Sequence, residues 1–287
     1  MQTDLQGRCV VFFHAHPDDE AIFTAATMHG LASAGARVVL VTATAGELGP
    51  VLSPLRLGET LADRRRVELE RACEVLGVAR LVLLGRRDSG MPGWADNAHP
   101  NALWAADTHE LGRGLARLCA AEGADALVHY DADGIYGHPD HLAVHRIGTA
   151  AAALAGIPSY EATVDRDHLS GRGRHLVESA AEGGVVPGRS CDEVTTVVAA
   201  TPAGLAAKRA AMAAHASQIP PSALRRRGFA HAYGQEWYVR AGCPGPLEEL
   251  AAERPVAERP VAERPVAERP VAERPVAALS AARTAAL

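Results

Sequence analysis

Four short, unbroken apolar runs, separated by stretches long enough for a helix, constrain the fold of this chain more tightly than any other feature. The runs are Val10-Val11-Phe12-Phe13, Val38-Val39-Leu40-Val41, Leu81-Val82-Leu83-Leu84 and Ala126-Leu127-Val128. None alternates with polar residues, so each reads as a strand buried on both faces. Helices are expected over 22–34, 61–76, 108–121 and 142–154; the first three are followed by Gly35, Gly77 and Gly123, where a left-handed residue closes a helix. Strands of this kind alternating with helices predict an α/β fold. It is a doubly wound, Rossmann-like, mostly parallel sheet with helices on both faces. Beyond residue 157 the pattern weakens to strands at 160–164, 194–198 and 237–239 and a helix at 202–216. Between them, 165–193 reads as an irregular excursion that could cap a site.

The last part of the chain has a different composition. From Ala252 the pentapeptide AERPV occurs five times, ending at Val276. Proline at every fifth position denies a helix its hydrogen bonds, and the segment holds too little apolar surface to form a core. The expected division is therefore a folded domain over 1–245 and a disordered tail over 246–287.

The net charge of −5 gives no general attraction to nucleic acid or to anionic membrane, and neither is expected as a partner. The one dense basic cluster, Arg225-Arg226-Arg227, reads as a solvated loop. The five cysteines form no CxxC pair, which fits a reducing compartment. No basic leader precedes the first apolar run, and that run is too short to span a bilayer. A cytoplasmic protein is the expectation.

Chemistry concentrates where two strands end. The first strand runs into His14-Ala15-His16-Pro17-Asp18-Asp19-Glu20. The fourth runs into Asp131-Ala132-Asp133-Gly134-Ile135-Tyr136-Gly137-His138-Pro139-Asp140-His141. In a sheet ordered 3-2-1-4 these strands are neighbours at the switch point, where ligands bind. Two imidazoles and a carboxylate suit Zn²⁺ and leave a position open for water. A further carboxylate can accept that water's proton. Asp18 and Asp19 can divide those tasks, and so can His138 and His141, one on the metal and one facing substrate. Other machinery is missing: there is no HExxH, no GxSxG, no Walker A motif and no GxGxxG after the first strand. His14 reads as a core or supporting residue, and His129 and His145 as packing. His29, His99, His109, His168, His175 and His231 read as surface or loop.

The pair His16-Pro17-Asp18-Asp19-Glu20 and His138-Pro139-Asp140-His141 resembles the LmbE-like (PIG-L) zinc-dependent de-N-acetylases. So do Thr44-Ala45-Gly46-Glu47-Leu48-Gly49, the pattern Arg65, Glu68 and Leu76-Gly77-Val78, and the segment from Lys208 to Gln218. Arg87-Asp88-Ser89-Gly90-Met91 and Tyr136-Gly137 are most similar to the actinobacterial mycothiol-pathway branch. The resemblance covers roughly 8–240. It implies zinc, or Fe²⁺ in the cell, on His16, Asp19 and His141, with Asp18 as general base. His138 would stabilise the oxyanion or protonate the leaving amine, Asp140 would tune it, and Tyr136 would polarise the carbonyl or gate the site. Glu47, Arg65 and Asp88 would contact sugar or inositol hydroxyls. The implied reaction removes acetate from an N-acetyl amino sugar such as N-acetylglucosaminyl-inositol, a small-molecule substrate. Sibling readings are amidase action on mycothiol S-conjugates and deacetylation of an antibiotic aminoglycoside intermediate. The chain departs from the family at Ala25-Ala26, where glycines are usual, and the segments 49–60 and 165–193 carry no family signature. Two other classes compete. The same ligand set serves non-haem Fe(II) oxygenases, and a metal-binding protein without catalysis would also use it; retention of Asp18 argues against the latter.

Overall fold

The computed structural model describes residues 4–169, 175–180 and 186–252. Its centre is a seven-stranded sheet in the order β3-β2-β1-β4-β5-β7-β6. The strands are β1 Cys9–His14, β2 Arg37–Thr44, β3 Arg80–Arg86, β4 Ala126–Tyr130, β5 Ser159–Thr163, β6 Thr196–Ala199 and β7 Gln235–Ala241. The first five pair in parallel, and β7 runs antiparallel to both β5 and β6. The mostly parallel, doubly wound expectation therefore holds, with an antiparallel edge. β1 and β4 are neighbours, with Val10 to Phe12 in register with Ala126 to Val128.

The principal helices are α1 Ala25–Ser33, α2 Leu61–Leu76, α3 Thr108–Glu122, α4 Pro139–Ala155, α5 Pro202–Ala214 and α6 Pro246–Ala252. Local chemistry sets their ends. Thr60 and Asp63 form a reciprocal capping box at the start of α2, so two of its orphan N–H groups are satisfied. Gly77, Gly123 and Gly156 end α2, α3 and α4 in the left-handed conformation. Thr201 accepts from Gly204 N ahead of Pro202, the first residue of α5.

Two expectations are corrected here. β3 lies at the sheet edge, and Leu83 is 40% exposed, so this apolar run is not buried on both faces. Residues 246–252 are also not part of a structureless tail. Pro246 opens α6, and Leu247 and Leu250, one turn apart, are buried against the core. The carboxylate of Glu248 accepts from Gly245 N at 2.9 Å and from the Tyr160 hydroxyl, tying the helix to β5. Residues 253–287, where the rest of the tail expectation falls, lie outside the described residues.

Candidate metal centre

Both His/Asp loops leave the C-terminal ends of the adjacent strands β1 and β4, and they meet in one cavity of about 610 Å³. Each loop contains a non-glycine residue with positive φ: Asp18 at 113° and Ile135 at 64°. Such conformations cost roughly 1–3 kcal/mol each and persist where the surroundings impose them. At Asp18 the surroundings are visible: its N–H donates to Glu20 Oε2 at 2.9 Å, and Glu20 opens a π-helical turn, Glu20–Thr24, that leads into α1. At the other loop, Gly134 is required. A Cβ there would lie 2.9 Å from both His141 Cβ and Leu142 N.

The second motif is a helix N-terminus. His138 caps α4 by accepting the Asp140 N–H on Nδ1 at 3.1 Å, and Pro139 occupies the first turn. Asp140 and His141 follow within that turn and point back to the strand ends. With Nδ1 as acceptor, the neutral His138 ring carries its proton on Nε2. Burial, with His16 and His141 nearby, holds its pKa well below the usual histidine value, so the ring stays neutral.

Donor atoms of His16, Asp19 and His141 lie within 4.8 Å of one another, and so do those of His16, His138 and Asp140. Existing hydrogen bonds separate the two groups. In the second, Asp140 Oδ1 accepts from Ser89 Oγ, Asp140 Oδ2 accepts from Ser89 N at 3.0 Å, and His138 Nδ1 is engaged as the helix cap. In the first, both ring nitrogens of His141 are buried without a hydrogen-bond partner. His141 Nε2 is 3.4 Å from Asp19 Oδ1, but without hydrogen-bond geometry; His16 Nδ1 is 3.4 Å from Asp19 Oδ2. Two donors about 2.0–2.1 Å from a tetrahedral ion stand roughly 3.3 Å apart, so these spacings suit zinc. An imidazole buried with two orphaned nitrogens is otherwise costly. The residues of the first group therefore fit a metal.

The buried charges at the site perturb one another. Burial raises the Asp19 carboxyl, but His141 and His16 overcome this and hold it well below the usual range. Burial lowers His16, and the carboxylates of Asp140 and Asp19 more than reverse that. Asp18 differs. Burial lifts its pKa to about 6, against the opposing pull of Arg65 at 3.1 Å and with a further push from Asp19.

Four residues implied as substrate or tuning groups have more specific placements. Asp140 offers His138 only its backbone N–H. Its carboxylate lies 3.1 Å from His16 Nε2 and supports that ring directly, while it acts on His138 through space, against the burial that lowers His138. Arg65 lines the cavity, but it donates to Gly46 O at 2.8 Å, to Gln218 Oε1 at 3.1 Å and to Pro17 O, besides pairing with Asp18. Its Nη1 and Nη2 are thus engaged by protein and hold the Asp18 carboxylate, while Nε is buried without a partner. Glu47 is not among the cavity-lining residues; its Oε1 accepts from Asp88 N at 3.1 Å and braces the Asp88 loop. Asp88 does line the cavity, 4% exposed, with Oδ1 accepting from Gly90 N at 2.8 Å. Tyr136 lines it too, its ring centroid 4.8 Å from that of His141.

Several contributors were given no task by the sequence, although Glu20, Glu68 and His215 to Gln218 lie in the segments that carry the resemblance. Glu20 Oε1 lies 2.5 Å from His215 Nε2, and both side chains are fully buried. Glu68 of α2 accepts from Ser217 N at 3.0 Å and Ser217 Oγ at 2.6 Å, fixing the turn that carries Gln218. His175, expected at the surface, is 3% exposed and stacks between Phe23 and Tyr233 at 6.0 and 4.5 Å. Its neighbours Leu176 and Val177 form part of the cavity wall. The available signal was that Glu20 continues the first motif and that His215 to Gln218 follow a helix; nothing marked His175. His14 and His129 are core residues as expected, the first bonded to Tyr130 Oη and Thr24 Oγ1, both at 2.9 Å.

A buried metal-competent triad beside a further carboxylate, at the switch point of a doubly wound sheet, is suited to metal-assisted hydrolysis. The chain belongs to the PIG-L family: the family model described as GlcNAc-PI de-N-acetylase matches residues 11–152. It is 38% identical over 279 residues to a 1D-myo-inositol 2-acetamido-2-deoxy-alpha-D-glucopyranoside deacetylase from Thermomonospora curvata, covering 83% of this chain and 92% of that one. The solved structure of the A40926 pseudoaglycone deacetylase Dbv21 aligns with a TM-score of 0.56 at 19% identity, over 81% of this chain and 96% of that one. GalB, a 4-carboxy-2-hydroxymuconate hydratase from Pseudomonas putida, also aligns at 0.56, with 16% identity over 83% of this chain and 98% of its own. Those two structures share the fold and carry different activities, so the fold alone does not set the reaction.

Proposed function

We propose that this protein hydrolyses the acetamide of an N-acetylated amino sugar, N-acetylglucosaminyl-inositol or a close glycoside, releasing acetate and the free amine. One observation carries the proposal: His141, buried with two orphaned nitrogens, faces Asp19 and His16, which line one cavity together with Asp18. The name of the relative from Thermomonospora curvata supports the substrate. Zinc held by His16, Asp19 and His141 would supply Lewis acidity to the amide carbonyl and acidify a water.

The chain's own residues do the remainder. Asp18, with a pKa lifted to about 6, is ionised at neutral pH and basic enough to take the proton of the attacking water. Arg65 and Glu20 fix its carboxylate and its backbone, so it meets the water in one orientation. His138, neutral and protonated on Nε2, can donate to the oxygen that becomes negative as the carbonyl is attacked. The proton on Asp18 then passes to the departing nitrogen, which restores the base. Burial holds the Tyr136 hydroxyl well above its usual pKa, so it remains a donor at the cavity wall.

The test is acetate release from N-acetylglucosaminyl-inositol by metal-stripped protein, with and without zinc, alongside Asp18→Asn. The expected result is zinc-dependent release that falls about 10²–10⁴-fold in Asp18→Asn, with metal content unchanged. Loss of metal from that variant would refute the division of roles, and no release from the wild type would refute this substrate.

A further inference from the structure

One large side chain at the cavity has no part in that chemistry. Trp94 lines the cavity and is 48% exposed. The chain has three tryptophans. Trp237 is 2% exposed, and Trp104 lies under the Arg146 guanidinium at 4.5 Å. Tryptophan is highly buried on average, so an indole open to a cavity calls for an explanation.

The loop holding it is braced. Trp94 N donates to Met91 O at 3.1 Å, and Asn97 N donates to Trp94 O at 3.1 Å. Asn97 Nδ2 donates to Met91 O at 3.2 Å, while Asn97 Oδ1 accepts from Gly93 N at 3.0 Å. The indole lies on the backbone of Gly90: a Cβ there would stand 2.5 Å from Trp94 Cε3 and 3.3 Å from Leu48 Cδ1. Gly90 is also left-handed, at φ 69°. Asp88, two residues earlier, accepts the Gly90 N–H, so one short loop fixes an aromatic ring and a carboxylate on the same cavity.

That pairing matches the surface of a pyranose. Such a ring presents C–H bonds on its face and hydroxyls around its edge. The negative face of an indole attracts the C–H face, and a carboxylate oxygen keeps a free lone pair for a hydroxyl. We propose that Trp94 is the platform on which the substrate's sugar ring stacks, beside the Asp88 carboxylate that the family resemblance already assigns to a hydroxyl. Trp94 then distinguishes glycosides from small acyclic acetamides. The identity of the ring rests on the deacetylase reading; the stacking itself does not.

Two measurements test it. In the first, the full chain without added metal is titrated with methyl 2-acetamido-2-deoxyglucopyranoside while tryptophan fluorescence is followed. A saturable change is expected, absent in Trp94→Ala and retained in Trp94→Phe as an affinity close to wild type by competition. In the second, acetate release with zinc should show KM raised about tenfold in Trp94→Ala, with kcat within about twofold. Because the indole is half exposed, the variant should fold with an unchanged melting temperature. A fluorescence change that survives in Trp94→Ala, its absence from the wild type, or an unchanged KM would overturn the platform. Glycoside binding by a wild type that releases no acetate would uphold the platform and remove the deacetylase reading.

Discussion

Gly49 shows how a residue without a side chain can govern the chemistry. Its φ is not left-handed, so only space is at issue. An added Cβ would stand 2.5 Å from Arg65 Nη1 and 2.7 Å from Gln218 Oε1. Both atoms are tips of side chains, so the backbone can stay in place while those tips shift. What moves is the guanidinium that holds Asp18. Gly49→Ala should therefore lower kcat by about tenfold or more, because a small misplacement of a reacting group is expensive in rate. Its zinc content should match wild type, and it should remain folded. Steady-state kinetics with metal analysis on the same samples decide it; a wild-type kcat would show that Arg65 does not position the base. The same logic explains what was legible at this scale. The meeting of His16, Asp19 and His141 was readable because His and Asp recur at the ends of two adjacent strands. The task of Arg65 was not, because its partners Gly46, Pro17 and Gln218 are brought to it only by folding.

Among elements, α1 is held by a device with no local signature. Its first turn has no side-chain cap of its own. Glu236 on β7 supplies one from across the sheet, accepting from Ala26 N and Thr27 N, each at 2.8 Å. A carboxylate at a helix N-terminus is favoured by the exposed N–H groups and the dipole. Lys208 of α5, 1% exposed, neutralises it at 2.7 Å. Glu236→Ala would leave two backbone donors and an ammonium buried without this partner. Removing one member of a buried pair typically costs about 3–5 kcal/mol, so the urea midpoint should fall accordingly; a shift equivalent to less than about 1 kcal/mol would count against the network. The helices α2 and α3 were readable from their closing glycines, and β1, β2 and β4 from their apolar runs. α6 was misread because proline and repeat composition next to it obscured Leu247 and Leu250. The pairing of Lys208 with Glu236 follows from tertiary contact alone.

For the whole molecule, the same burial that shapes the site sets its response to acid. His129 and His175 lie in separate parts of the core, and burial pushes each pKa down to about 3. His145 adds to the effect at His129, and Lys208 and His168 add to it at His175. In the unfolded chain a histidine titrates near about 6.5. Between those values the unfolded state binds a proton that the folded state refuses, so unfolding takes up protons. Stability is then full above about pH 6.5 and declines as pH falls toward 3, by about 1.4 kcal/mol per pH unit for each histidine well inside the window. His175→Phe isolates one of them. Phenylalanine suits a slot between Phe23 and Tyr233, at the cost of the bond that His175 Nδ1 accepts from Val177 N at 3.2 Å. Urea unfolding of metal-free wild type and variant at several pH values between about 5 and 6.5 should show a shallower decline in the variant, less by close to one proton at the acid end. Every other titrating group is common to both proteins and cancels in the comparison. Parallel curves would mean that His175 takes up its proton in the folded protein much as it does in the unfolded chain, and burial between Phe23 and Tyr233 would then not be what sets its charge.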